Sequence, residues 1–177
     1  MEDRTNKSKR RRRGADSGAT AVEFAMVVGP LLLIIFATLE LAMVFVVSTM
    51  VESALSKGAR EIRTGQQQNG ADVSEAAFKG KICDEMVFLE GHCATHLSLD
   101  VRASTQFTMT GAPDPAEGGS FDDSDLTFNP GGPSQIILVR AFYRWPLLTP
   151  FLEQALGDVD GNTALIISAD TFRNEPF

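Results

Sequence analysis

A chain of 177 residues leaves room for one modest globular domain once a leader and a membrane segment are set aside, since about 100 to 150 residues make a typical domain. Its 23 acidic residues outnumber its 16 Lys and Arg, and the basic ones crowd at the start, where Arg4, Lys7, Lys9, Arg10, Arg11, Arg12 and Arg13 face only Glu2, Asp3 and Asp16. Without residues 1–18 the balance is 9 basic to 20 acidic, a charge of −11, which would repel a polyanion and argues against a nucleic-acid partner.

The arginine cluster is followed within ten residues by apolar sequence, the arrangement that holds an N-terminus in the cytoplasm. Between Glu23 and Glu40 lie sixteen uncharged residues, and residues 41–51 continue the apolar run. The run is too long for the apolar core of a secretory signal peptide, so residues 19–65 are expected to form one hydrophobic N-terminal helix with its transmembrane part at about residues 22–47. Residues 24–39 span about 24 Å at 1.5 Å per residue, and residues 19–22 bring the span to the roughly 30 Å of a hydrocarbon core. Glu40 then falls at or near the outer interface, and the apolar residues 41–51 need burial against something, for which other copies of the helix or other subunits of a filament are the expectation.

Glu23 is the odd residue, because a carboxylate at the edge of hydrocarbon needs a partner. If the chain is cut after Gly18, Ala19 carries a new amine one helical turn from Glu23 and on the same face, so the two charges can neutralise each other. Pro30 removes a helix hydrogen bond and marks a kink, read either as a bendable point or as a harmless break in a membrane span.

From Val51 the pattern turns amphipathic, with Val51, Leu55, Ala59 and Ile62 on one face and Gly65 placed as a C-terminal cap. Residues 66–71 read as a linker by composition, and the globular domain is expected over residues 72–177. Residues 72–89 read as a second helix capped by Asp72 or Ser74. Residues 97–107, 135–145 and 163–172 alternate apolar and polar side chains, the mark of half-buried strands. The acidic, Gly- and Pro-rich residues 111–133 read as a long exposed loop, residues 147–156 as a short helical crossing, and residues 157–162 as a turn. The expected fold class is α+β: a long N-terminal helix, then a small domain in which a helix packs on an antiparallel sheet of about three strands.

Cys83 and Cys93 are the only cysteines, and in an oxidising compartment they are expected to form a disulfide stapling the end of the second helix to the first strand. A metal site from Cys83, His92, Cys93 and His96 lacks the usual CxxC knuckle, so no metal is expected there. Asp158 to Asn162 has its glycine and its twelfth position wrong for a calcium loop, and Asp122, Asp123 and Asp125 read as a solvated acidic loop. No GxSxG, HExxH or phosphate-cradling loop is present, so neither catalysis nor a cofactor is expected. Phe142, Tyr143 and Trp145 read as packing residues.

Gly18, Glu23 and Phe24 fill the defining places of a type IV prepilin processing site, with the small residue before the cut and Glu and an aromatic at the fifth and sixth positions after it. The basic leader, Gly18-Ala-Thr-Ala-Val-Glu-Phe-Ala25, Pro30 with its leucines, Ala59-Arg-Glu-Ile-Arg-Thr-Gly65 and Phe172-Arg-Asn-Glu-Pro-Phe177 together resemble the TadE-like pseudopilins, minor pilins of the tight-adherence (Flp) pilus system. The resemblance implies cleavage after Gly18 by a prepilin peptidase and a role in pilus assembly and surface adhesion. It also implies a single-pass bacterial inner-membrane location with the C-terminal domain periplasmic. Implied partners are other pilins and pseudopilins along the N-terminal helix, the peptidase, the inner-membrane assembly platform and membrane lipid. The other reading of the same residues is a bitopic membrane-anchored binding or sensor protein that keeps its leader.

Overall fold

The computed structural model describes residues 3–70, 72–106, 112–149, 152–157 and 159–177, with side chains from residue 18 onward. The chain divides into two compact units, residues 1–41 and 42–177. Helix α1 (Asp3–Arg63) belongs to both and is helical through Pro30. In the first unit nearly every apolar side chain from Val22 to Leu39 is exposed, including Phe24, Met26, Val27 and Phe36. An exposed surface of this kind is stable only in lipid or against other helices.

The second unit is built on an antiparallel meander, β1 (Leu97–Ser104), β2 (Ile136–Pro146) and β3 (Thr163–Arg173), in the order β1-β2-β3. Register pairs Leu99 with Ala141 and Ala141 with Ser168, which fixes the faces by the two-residue period. Leu97, Leu99 and Val101 with Ile137, Val139, Ala141 and Tyr143 form one face, buried in a single cluster with Val47, Val51, Ala54, Leu55 and Ile62 of α1. The apolar stripe of α1 from Val47 onward is therefore covered by this chain's own sheet. That corrects the expectation for residues 41–51 in part: Val47 and Val51 are buried within this chain, while Leu41, Met43, Phe45 and Val46 stay exposed.

Helix α2 (Glu75–Glu85) starts at the Ser74 cap, whose Oγ accepts from the Ala77 N–H at 3.2 Å. Its buried residues Phe78 and Ile82 face Gly58 of α1, where an added Cβ would sit 3.1 Å from the Phe78 ring. The ion pairs Lys57–Glu85 and Glu61–Lys81 flank that contact and show that α2 runs antiparallel to α1. The expected single helix over residues 72–89 is corrected at Met86, which leaves helical geometry at φ −94°, ψ 55°. A turn follows, and then a second short helix, α3 (Glu90–His96), which runs directly into β1. Apolar spacing continues across the break, so periodicity alone does not reveal it. The reversal lets Met86 and Cys93 both reach the core.

Two loops also differ from expectation. Residues 66–70 form consecutive turns and not a free linker: Gln67 is fully buried, its Nε2 donating to the Asp72 carbonyl and its Oε1 accepting from Lys81 Nζ at 3.0 Å. The segment from 112 to 133 is an ordered cover in place of a wholly exposed loop. Thr127 and Asn129 exchange backbone hydrogen bonds of 2.7 Å with Val101, so this segment extends the free edge of β1. Helix α4 (Leu152–Leu156) and a turn through Asp160 and Gly161, both at positive φ, carry the chain into β3. Phe107, Gly111 and Asp158, which figure in the sequence reading, lie outside the described residues.

Candidate functional site

Gly18, Ala19, Glu23 and Phe24 lie on consecutive turns of α1, all exposed. Helical geometry puts Ala19 and Glu23 one turn apart on one face, as the processing argument requires. An added Cβ at Gly18 would meet no described atom within 4 Å beyond its chain neighbours and the helix's own backbone. Six residues past Phe24, Pro30 occupies the helix interior.

In the second unit the cysteines are joined, Cys83 to Cys93, across a Cα separation of 5.5 Å. The bond ties α2 to α3, one element earlier than the expected link to the first strand. With both sulfurs consumed, the four-ligand metal set is broken. His92 and His96 instead stack at 3.6 Å, and His92 Nδ1 lies 2.7 Å from the Tyr143 hydroxyl. Burial, and then the charge of His96, hold the His92 pKa below its ordinary value. Burial pushes the Tyr143 phenol up to about 12.

Two assemblies were not foreseen in the sequence. On the face of the sheet away from α1, Asp100 is fully buried between two arginines. Arg102 Nε donates to its Oδ1 at 2.9 Å, and Arg140 Nη2, across the strand pair, donates to its Oδ2 at 2.7 Å. The Thr127 N–H completes the shell at 2.9 Å. Burial alone would raise the Asp100 pKa, but the Arg140, Thr127 and Arg102 hydrogen bonds outweigh it and the net shift is downward. The arginines then reach onward, Arg140 Nη1 to the Pro113 carbonyl and Arg102 Nη2 to the Asp125 carbonyl, which pins the acidic loop to the sheet.

The second assembly joins residues 59–65 to residues 170–177. Helix α1 ends in a Schellman-type turn, the Gln66 N–H donating to the Glu61 carbonyl and the Gly65 N–H to the Ile62 carbonyl, with Gly65 at φ +76°. The Phe177 ring lies against Gly65, and the Glu175 N–H donates to the Arg63 carbonyl at 2.9 Å. Asn174, almost fully buried, donates through Nδ2 to the carbonyls of Pro130 and Gly132. A cleft of about 360 Å³ opens beside the junction, lined by Arg60, Arg63, Asp170 and Phe172 among others.

Among the described residues no group of three or more His, Cys, Asp or Glu side chains is placed to hold a metal ion. Helix α1, over residues 18–63, is long and apolar enough to cross a membrane, and a small α+β domain follows it. Residues 18–60 match the family described as TadE-like protein, so the resemblance read from the sequence is borne out over that segment. This is a structural family and not an enzymatic one. No curated protein and no solved structure matches the chain.

Proposed function

We propose that this chain is a minor pilin, or pseudopilin, of a tight-adherence pilus. In this reading a prepilin peptidase cuts after Gly18 on the cytoplasmic face and frees the amine of Ala19. Glu23 neutralises that amine in its own chain or in a neighbour, and α1 packs against other pilins at the inner-membrane assembly platform, with Pro30 as the point at which the helix bends on leaving lipid. The second unit is periplasmic and presents its loops to partner pilins or to a surface. The observation that carries the reading is that the TadE-like match starts at Gly18, so it excludes the basic leader and opens at the residue before the expected cut.

Mass spectrometry of the membrane-bound protein tests it. The expected mature N-terminus is Ala19; an intact leader in functioning cells would leave only a bitopic anchored domain. Glu23→Ala is expected to insert in the membrane normally and to fail in assembly, and normal piliation by that variant would remove the proposed role of the carboxylate.

A further inference from the structure

The two outer edges of the sheet are finished differently. Along β1 the chain lays down residues 127–129, which bond Val101. Along β3 the register decides which backbone groups face outward. The Asn174 N–H donates to the Gln135 carbonyl and the Leu147 N–H to the Asn162 carbonyl, both in step with the pairing of β2 and β3. Even-numbered residues of β3 therefore turn N–H and C=O toward β2, and odd-numbered ones turn them away from the sheet. The outward row is closed at both ends by the chain itself, where Thr163 exchanges hydrogen bonds with Val159 and the Glu175 N–H donates to the Arg63 carbonyl. Between those ends the N–H and C=O groups of Ile167, Ala169 and Thr171 have no hydrogen-bond partner among the described residues.

An open row of this kind is a template for another strand, and folded chains commonly blunt it with Lys, Pro or a bulge. Residues 163–173 contain no Lys or Pro, and their pairing with β2 is continuous. The two faces beside the row differ in chemistry. Ile167, 55 % exposed, lies with Ala169 and Thr171 on the face away from α1. On the other face the cleft of about 360 Å³ separates the edge from α1, with Asp170 and Phe172 on one wall and Arg60 and Arg63 on the other. Arg63 is paired with Glu175 at 3.5 Å. Among the described residues neither Arg60 nor Asp170 has an ion pair, so Arg60 is left to an incoming carboxylate.

We infer that the β3 edge from Ile167 to Thr171 takes up an extended segment of another protein as an added antiparallel strand, with apolar side chains over Ile167 and a carboxylate reaching Arg60. Main-chain hydrogen bonds supply the affinity of such an addition, and the alternating side chains supply its selectivity. A second copy of this chain fits less well. Its β3 would pair about a two-fold axis and lay its own residues 47–62 on the same face in the opposite direction, whereas chains inserted from one side of a membrane share a direction. The edge belongs wholly to the second unit, and its use is independent of any cut after Gly18.

The test titrates the full chain in detergent with a fluorescein-labelled peptide, Thr-Val-Glu-Val-Thr-Thr-amide, whose alternation sets valines over Ile167 and glutamate toward Arg60. Anisotropy should report saturable binding. N-methylation of both valine amides, the groups an antiparallel strand turns toward β3, should weaken it about tenfold or more, the effect of losing one or two backbone hydrogen bonds. Ala169→Pro removes an outward N–H where an edge strand tolerates proline, and should weaken binding as much. Lysine in place of the peptide's glutamate should bind a few-fold more weakly, and Arg60→Glu should reverse that preference. Absence of saturable binding overturns the inference, and so does equal binding of the N-methylated peptide, which needs no variant to fold. A preference for glutamate that survives Arg60→Glu overturns the acidic partner. Self-association of the full chain that Ala169→Pro abolishes, without capture of the peptide, overturns the inference in favour of a second copy.

Discussion

The ring of Phe177 lies so close over Gly65 that a Cβ at Gly65 would be 2.6 Å from its Cδ1, nearer than real Cβ contacts come. The glycine serves twice there, since its φ of +76° also favours a residue without a side chain. Gly65→Ala is expected to destabilise the second unit by about 1 to 3 kcal/mol, the range for backbone strain. Phe177→Ala should relieve the clash but not the strain, so the penalty of Gly65→Ala should shrink in that background. Urea unfolding of the four proteins in detergent measures the difference, and strictly additive effects would mean that the ring does not press on the glycine.

Asp100→Asn leaves Arg102 and Arg140 around a neutral amide. Breaking a buried pair by removing one partner typically costs about 3 to 5 kcal/mol, and a comparable loss is expected here. The more specific consequence is release of the loop, because Arg140 and Arg102 hold the Pro113 and Asp125 carbonyls from positions set by the carboxylate. Limited proteolysis should cut the variant between residues 112 and 129 under conditions in which the parent chain resists.

Separating Cys83 from Cys93 removes a constraint on a loop closed over ten residues. The loop-entropy relation gives about 2 to 3 kcal/mol for a loop of this size. The double variant Cys83→Ala/Cys93→Ala should lose about that much, and reductant should shift the parent chain by the same amount while leaving the variant unmoved.

Acidification should weaken the second unit in two stages. His92 has a folded pKa below 6.5, so the unfolded chain binds its proton more readily; its contribution is complete above 6.5 and falls away as the pH drops from there toward the folded value. Asp100 has a folded pKa below 3.8, so its contribution is present above 3.8 and is lost as the pH falls through the folded value. Urea midpoints across pH 7.5 to 3 should show both declines. His92→Gln should flatten the upper stage and leave the lower one.

The three strands and α1 were legible because their signals are local. Alternation over residues 97–104 and 136–146 and an unbroken apolar run define a face without reference to the rest of the chain. Gly65 was likewise legible as a cap, from its place after the last periodic residue. What escaped depends on distant partners. Asp100 stands on the polar side of an alternating strand, and nothing near it in sequence shows that residues 112–129 fold over that side and bury it. Met86 keeps helical spacing while leaving the helix, because the break serves a disulfide to Cys93. Residues 59–65 and 172–177 were each noticed as family-like patterns, but their contact follows from tertiary folding alone. At residues 18–24, where processing is proposed, residue type and spacing stand in the sequence, and the helix adds the shared face of Ala19 and Glu23.

The junction of Gly65 with Phe177 also sets a timetable. The two residues are 112 positions apart, and at roughly 5 to 20 residues per second the ribosome needs on the order of ten seconds to make the intervening chain. Through that interval β2 lacks β3 beside it and the end of α1 lacks its clasp, so the nascent chain carries an open sheet margin. Quality control by a holding chaperone would find its substrate in that window, and residues 163–177, on arrival, would close it.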